Sequence, residues 1–262
     1  MYSKRGQVTL FVIIAVVIVA VVVLAIILAP RLTKPKAQVN DQMNPETYIA
    51  DCINDELEHM VKTIAEQGGS LELKNCIFYK DICRTYLCYQ NIPNTACVNQ
   101  EPMLKGKIES RLKTKLQQEN IIPNCVDDFK QAAIQKQYSI DACTSPQFAV
   151  ILIPGKVTVQ INCSISLDRN DEHKRFTTIN PALDWPLYEF VITTGEIINT
   201  EILNTDFDPS VYISLNPWID IYKFRSSDEI GTSKIYVLKD RVSGNEFGFA
   251  LKNNYWVPAG VL

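Results

Sequence analysis

The sequence predicts an α+β protein, with an N-terminal transmembrane helix followed by a disulfide-stapled ectodomain of mixed helices and antiparallel sheet. Three observations predict this class. The run from Val8 to Ala29 contains no charged residue and only Thr9 as a polar one. Every cysteine of the chain follows that run. The segments beyond it show apolar spacings typical of helices in some places and of strands in others.

The apolar run is about 22 residues long, or roughly 33 Å of helix, which is enough to cross a bilayer. A cleavable secretory signal has an apolar core of only about 7–15 residues. A helix buried in a soluble core is rarely apolar on every side over such a length. We therefore predict that residues 1–29 form a signal-like N-terminus and a membrane-spanning helix, and that residues 30–44 form a juxtamembrane linker.

Disulfides are predicted because an even number of cysteines lies on one side of this anchor, as in proteins of oxidising compartments. The cysteines are Cys52, Cys76, Cys83, Cys88, Cys97, Cys125, Cys143 and Cys163. A hairpin turn at Pro154-Gly155 would bring Cys163 close to Cys143. The four cysteines of residues 76–97 are expected to pair among themselves, which leaves Cys52 for Cys125. Zinc binding is disfavoured because no histidine accompanies the closest cysteines, and the C-x-x-C motif of thioredoxin-type chemistry is absent.

The first element after the linker is a helix capped by Asn44, with Pro45 in its first turn and Gly68-Gly69 at its end. Its apolar stripe is Ile49, Ile53, Leu57, Met60, Val61 and Ile64. A cysteine-rich segment with short strands follows over 71–100. A second helix is predicted over about 102–119, with Leu104, Ile108, Leu112 and Leu116 on one face. A third helix is predicted from Pro123 to about Lys136.

Strands are predicted on both sides of Pro154-Gly155, and the run "HKRFTTI" is expected to add an edge strand. Pro186 opens a segment that favours a helix, although its threonines and Gly195 leave a strand open. A β-hairpin is predicted around residues 241–245. We divide the ectodomain into a cysteine-containing α+β part at 45–206 and a β-rich extension at 207–262.

The N-terminus carries a basic pair and a glycine, Lys4, Arg5 and Gly6, followed by Gln7 and the apolar run. This string resembles the class III signal peptide of archaeal pilins. The resemblance implies cleavage after Gly6. Many pilins carry a glutamate where this chain has Phe11, so the resemblance implies processing more strongly than filament assembly. The segments "YIADCINDELEHMVKTIAEQGG" and "IIPNCVDDF" are similar to a group of uncharacterised single-span surface proteins of small-genome archaea.

Charge and composition argue against several classes of function. Beyond the run there are 24 basic against 29 acidic residues, a net charge of −5 without a basic stripe, so nucleic-acid binding is not expected. His59 near Asp55, and the acidic pairs Asp127-Asp128, Asp206 with Asp208, and Asp228-Glu229, are candidates for acid–base or calcium sites. Each fits a solvated face, a cap or a loop better. We predict no catalytic residue, metal or cofactor.

The late part of the chain is rich in aromatic residues, which either fill a core or form an exposed site for a protein or a glycan. They are Trp185, Tyr188, Tyr212, Trp218, Tyr222, Tyr255 and Trp256.

The sequence therefore predicts a pilin-like protein anchored by a single pass in the cell membrane, with its C-terminal domain outside. Its predicted partners are the lipid bilayer and a surface protein, glycan or pilus-like assembly, and it acts by presentation. The alternatives are an anchored hydrolase with converging carboxylates and a minor filament subunit.

Overall fold

The computed structural model describes residues 43–92, 95–170, 172–204, 206–228 and 231–253. The chain divides into two units, 1–43 and 44–262, and the described residues other than Met43 belong to the second unit. The predicted membrane helix, the linker up to residue 42 and the processing site lie outside these residues. Among the helices that the structure describes, none combines the length and the apolar character that a membrane crossing needs.

The second unit contains both helices and strands, which confirms the predicted α+β class. The helices are α1 (Pro45–Glu66), α2 (Leu104–Gln118), α3 (Ile121–Gln135), α4 (Leu187–Asn204) and α5 (Pro209–Leu215). The first strands are β1 (Cys76–Tyr79), β2 (Ile82–Tyr89), β3 (Val98–Asn99), β4 (Ser139–Ala142), β5 (Gln147–Ile153) and β6 (Lys156–Arg169). The later ones are β7 (Glu172–Ile179), β8 (Ala182–Asp184), β9 (Ile219–Asp228), β10 (Gly231–Asp240) and β11 (Glu246–Asn253).

Helix α1 begins and ends where the sequence predicts. The Asn44 side chain accepts a hydrogen bond from the Glu46 backbone N–H at 2.9 Å, and Gly68 and Gly69 follow the helix with φ angles of 69° and 88°. The predicted apolar stripe is buried along its whole length. Since a buried stripe of this kind stabilises a helix through tertiary packing, α1 is fixed by the core that it contacts.

Helices α2 and α4 are confirmed, and α3 requires a small correction. The predicted face of α2 is buried at all four positions. Helix α3 starts at Ile121, two residues before Pro123. A proline is tolerated in the first turn because the backbone N–H groups there have no partner within the helix. Segment 187–204 is a helix, so the strand alternative is wrong. Its buried positions include Leu187, Phe190, Thr194 and Ile197, which follow a helical period.

The two sheets of the unit differ in topology. Sheet I has the strand order β1-β2-β11-β10-β9, with β3 added to β2. Its pairs are antiparallel except for β2 and β11, which run parallel. Sheet II is built on β6, which pairs with β4 and β5 and also with β7 and β8, all antiparallel. The hairpins predicted at 154–155 and 241–245 are the pairs β5–β6 and β10–β11.

The core lies between the sheets. Helix α1 contacts β2 and β11 of sheet I as well as β7 and β8 of sheet II, and α4 contacts β11 together with β5 and β6. The parallel pairing of β2 with β11 joins Tyr86 to Ala250. The ranges 45–206 and 207–262 of the predicted division therefore share one sheet.

All eight cysteines are paired, and the prediction of four disulfides is confirmed. The bonds are Cys52–Cys125, Cys76–Cys83, Cys88–Cys97 and Cys143–Cys163. Within the unit they join α1 to α3, β1 to β2, the end of β2 to the segment before β3, and the segment after β4 to β6. Disulfides of this density are typical of domains that fold in an oxidising, extracytoplasmic compartment.

Candidate functional site

The candidate residues of the sequence analysis do not gather in one place. His59 and Asp55 are exposed on α1. Their exposure fits the solvated face that we expected. The second histidine of the chain, His173, contacts Asp168 at 2.5 Å on the exposed end of sheet II, and Asp127 pairs with Lys130 at 3.1 Å. Among the described residues, no hydrogen bond or ion pair joins these groups to one another, so they do not form one acid–base site.

The acidic residues near α5 are engaged with partners of their own. The Asp208 carboxylate accepts a hydrogen bond from the Ser210 backbone N–H at 2.9 Å, which makes it the cap of α5. Asp206 pairs instead with lysines of sheet I. Asp228 ends β9, and Glu229 lies outside the described residues. Among the described residues, no group of three or more His, Cys, Asp or Glu side chains is arranged to hold a metal ion.

A buried ionic cluster, which we call the Glu201 cluster, ties α4 to sheet I. It comprises Glu201, Asp206, Lys223, Lys234 and Tyr236. Glu201 has no exposed surface, and its Oε2 accepts a hydrogen bond from Lys234 Nζ at 2.5 Å. Its Oε1 accepts from the Tyr236 hydroxyl and from the backbone N–H of residue 207. Both carboxylate oxygens are therefore already hydrogen-bonded within the protein, and the arrangement is structural rather than that of a poised base.

Asp206 extends the cluster to the protein surface. One of its carboxylate oxygens accepts from Lys223 Nζ at 2.5 Å and from Lys234 Nζ at 2.7 Å. Burial raises the pKa of Asp206, but the hydrogen bonds from Lys223 and Lys234 outweigh it and hold the pKa below its ordinary value. Burial also raises the pKa of the Tyr236 phenol, and the Glu201 carboxylate raises it further. The phenol is therefore a hydrogen-bond donor at neutral pH.

An open cleft lies on the face of sheet I opposite the Glu201 cluster, and we call it the Arg84 cleft. Its aromatic walls are Tyr79 of β1 with Tyr222 and Phe224 of β9. The rings of Tyr79 and Phe224 stack at 4.8 Å between centroids, although β1 and β9 are the two end strands of the sheet. The end of β1 therefore lies close to β9, and the cleft of about 280 Å³ lies between them.

The charged lining of the Arg84 cleft consists of Lys80, Arg84, Lys239 and Glu246. Lys80 lies over the Tyr79 ring, with its Nζ 5.4 Å from the centroid. Lys239 pairs with Glu246 at 3.2 Å, and both side chains are about two-fifths exposed. Three cationic groups and one carboxylate give the lining a formal charge of +2, whereas the whole chain carries −3. The cleft is thus locally suited to an anion.

Arg84 is the buried member of this lining. Its residue surface is 3% exposed, and its Nη1 donates a hydrogen bond to the Glu66 carbonyl at the C-terminal end of α1. A cation there is favoured by the helix dipole. Gly248 lies beneath the guanidinium, where a Cβ would come within 2.2 Å of Nη1. Burial lowers the pKa of Arg84, and the nearby Glu66 and Glu246 carboxylates oppose that effect.

Sequence reasoning found only part of this cleft. Tyr222 belongs to the late aromatic group that we singled out, and it is 46% exposed. Trp185 of the same group is buried and fills the core. Arg84 and Tyr79 were missed, although an arginine inside the apolar strand "ICRTYLCY" was a usable signal. Tyr255 and Trp256 lie outside the described residues.

Comparison with known proteins does not assign the chain to a family. No protein-family model, no curated protein and no solved structure matches the chain.

Proposed function

We propose that this protein is a membrane-anchored, extracytoplasmic surface protein that acts by binding and presentation, not by catalysis. The observation that carries the proposal is the pairing of all eight cysteines in the domain that follows the apolar run of residues 8–29. Disulfides are stable outside the cytoplasm, and an uncharged run of this length is suited to a bilayer. Together they favour an anchor in the membrane and an oxidised domain beyond it.

The site geometry favours binding over hydrolysis. A hydrolase of the kind that we considered needs two carboxylates facing each other across a cleft. Among the residues that the structure describes, the lining of the Arg84 cleft has one carboxylate, Glu246, and this is paired with Lys239. The candidate pair Asp206 and Asp208 is divided between a lysine cluster and a helix cap. Aromatic walls with a few fixed charges are typical of a recognition site.

The proposal is tested on intact cells that express the full chain, with a membrane-impermeant maleimide and an impermeant reductant. We expect labelling only after reduction, because the cysteines are oxidised and outside. Labelling without reductant, or only after lysis, would contradict the proposal.

The anchor is tested separately by extraction of the membrane fraction with alkaline carbonate. The variant V17R/I18R places two charges at the centre of the apolar run, which is costly in a bilayer. We expect it to be released, while the matched control V17L/I18L stays in the membrane. N-terminal sequencing of the purified protein tests the pilin-like part: a mature chain that starts at Gln7 supports processing, and one that starts at Met1 removes it.

A further inference from the structure

The Arg84 cleft combines three features that no single structural role requires. It has flat aromatic walls open to solvent, a cationic floor and rim, and one carboxylate that is held in place at its end. A helix cap would need Arg84 alone. The additional Lys80 and Lys239 bring positive charge to the surface of an acidic protein, where a solvated face would not concentrate it.

We propose that the Arg84 cleft binds a carboxylate-bearing sugar, such as a hexuronate at the end of a glycan. This inference rests on the proposed function, since such glycans are met outside the cell. Each feature of the cleft corresponds to one part of the ligand. The ring face of the sugar packs on Tyr222 and Phe224, the carboxylate lies toward the cationic side chains, and Glu246 accepts hydrogen bonds from hydroxyl groups.

The floor of the cleft is preorganised. Arg84 is fixed by its hydrogen bond to the Glu66 carbonyl and by its position over Gly248, so it does not have to be ordered when a ligand binds. A buried cation of this kind acts through a medium of lower dielectric than water, which strengthens its attraction for an anion. Lys80 and Lys239 are exposed enough to contact the carboxylate directly.

Size and charge distinguish this ligand from other anions. The cleft volume of about 280 Å³ is at the lower limit of the range for ligand pockets, so it suits one ring and not a long chain. The Glu246 carboxylate would repel the second charge of a phosphate monoester. An acidic peptide would satisfy the cations, but its aliphatic carboxylate side chains would leave the flat faces of Tyr222 and Phe224 without a matching ring.

The test is a calorimetric titration of the full chain in detergent micelles with D-galacturonic acid, its methyl ester and D-galactose. The ester keeps the ring and removes the charge. We expect the acid to bind with a dissociation constant of about 1 mM, as ligand-efficiency trends give for a ligand of this size. We expect the ester and galactose to bind about tenfold more weakly, because a charge-assisted contact is lost.

Variants of exposed residues locate the binding without disturbing the fold. We expect K80Q/K239Q to weaken acid binding about tenfold, on the same grounds, and to leave galactose binding unchanged. We expect Y222L to weaken both, because it removes a ring face from the wall. The control K156Q alters an exposed lysine of sheet II and should change neither. Circular dichroism checks that each variant is folded.

Equal affinity for the acid and galactose, no binding of the acid, or an unchanged affinity in K80Q/K239Q would each overturn the inference. Displacement of the acid by micromolar Asp-Glu-Tyr tripeptide or by inorganic phosphate would also overturn it, in favour of a peptide or a phosphate site. These outcomes are independent of the labelling experiment above. An external, oxidised domain that binds no uronate refutes only this inference, and a uronate-binding domain with reduced internal cysteines refutes only the proposed function.

Discussion

In sheet II the long strand β6 alternates buried and exposed side chains, whereas β10 of sheet I is buried from Ser233 to Leu238 without interruption. The buried face of β6 is apolar throughout, with residues such as Val159 and Ile161. Sheet I is covered on both faces, because Tyr86, Ile235 and Ala250 form a second small core beneath side chains of the β1–β2 hairpin. Sheet II is thus an amphipathic layer, while sheet I also holds buried charges.

The two sheets therefore fix their strand registers in different ways. The register of sheet II follows from its alternation, since a slip by one residue would expose the apolar face. Sheet I has apolar residues on both faces, and alternation does not fix it. Its register is supported instead by polar contacts that accept one geometry, such as the Glu201 cluster and the hydrogen bond between the Tyr86 and Ser233 hydroxyls at 2.9 Å.

The largest effect is expected from the variant E201A. The substitution removes the buried carboxylate that pairs with Lys223 and accepts the hydrogen bond of the Tyr236 hydroxyl. Breaking a buried ion pair costs about 3–5 kcal/mol of unfolding free energy. We expect the lower end, about 3 kcal/mol, because Asp206 still pairs with Lys234. This corresponds to a fall of about 6–12 °C in Tm by calorimetry.

Two further variants sharpen this measurement. Ile161→Val in sheet II should cost only about 1 kcal/mol, as a methyl deletion in an apolar layer does. The triple variant E201L/K234M/Y236F should recover part of the loss, because it removes the polar groups of Lys234 and Tyr236 together with the carboxylate. The backbone N–H of residue 207 still loses its acceptor, so the recovery is incomplete. A Tm of E201A within 2 °C of the unmodified protein would show that the cluster does not stabilise sheet I.

The next effect compares two glycines. In sheet I, Gly248→Ala places a Cβ against the Arg84 guanidinium and should cost about 2–3 kcal/mol through overpacking and a weakened buried hydrogen bond. In sheet II, Gly155 has φ +73° and open space around it, so Gly155→Ala should cost about 1–2 kcal/mol from backbone strain alone. Urea denaturation of both variants measures these changes in unfolding free energy.

The double variant R84M/G248A tests the cause in sheet I. If the Cβ acts through Arg84, the second substitution should add less than about 0.5 kcal/mol to the cost of R84M, because residues in contact are not additive. Full additivity would place the effect of Gly248 in the backbone and not in its contact with Arg84.

The smallest effect is a pH dependence in sheet I. The folded pKa of Asp206 is lowered, so its ion pairs stabilise the fold above the unfolded value of about 3.9 and are lost as the pH falls through the lower folded value. We expect D206N to lose less stability than the unmodified protein between pH 5 and pH 2, in chemical denaturation at each pH. The carboxylate is half exposed, so solvent screening keeps the effect small.

A surface pair in sheet II provides the control. Asp184 pairs with Lys156 at 3.3 Å, and its side chain is 86% exposed. We expect D184N to change the unfolding free energy by no more than about 1 kcal/mol at any pH in this range, because exposed pairs contribute little. Identical acid profiles for D206N and the unmodified protein would remove the assigned role of Asp206.

Elements with a simple apolar pattern were predicted from the sequence, whereas strands of sheet I that carry buried polar residues were harder to predict. Local patterns were enough for α1, for the β5–β6 hairpin and for the closeness of Cys143 and Cys163, because each depends on neighbours in sequence or on one apolar face. Strand β9 was missed. Its inward positions continue from Ile219 and Ile221 to Lys223, whose side chain is 12% exposed. A lysine at an inward position hides the alternation of apolar residues.

The pairing of β2 with β11 and the Arg84 cleft were beyond local patterns for a different reason. Both bring together segments near residues 80 and 250, and a single sequence carries no periodicity that links them. Gly248 offered the best local indication of the cleft, since a glycine inside a strand often marks a place where another group approaches the backbone closely.

The Cys52–Cys125 bond has a mechanical consequence. A pulling force applied from residues 1–43 enters the domain at α1 and meets Cys52 about two turns into that helix. From there the load passes through a covalent bond into α3, so α1 cannot be peeled from the core one turn at a time. In the fully reduced domain, the 73 residues that this bond spans could extend to roughly 250 Å. The oxidised domain is therefore a short, stiff coupling under tension, and its reduced form would be a long, compliant one.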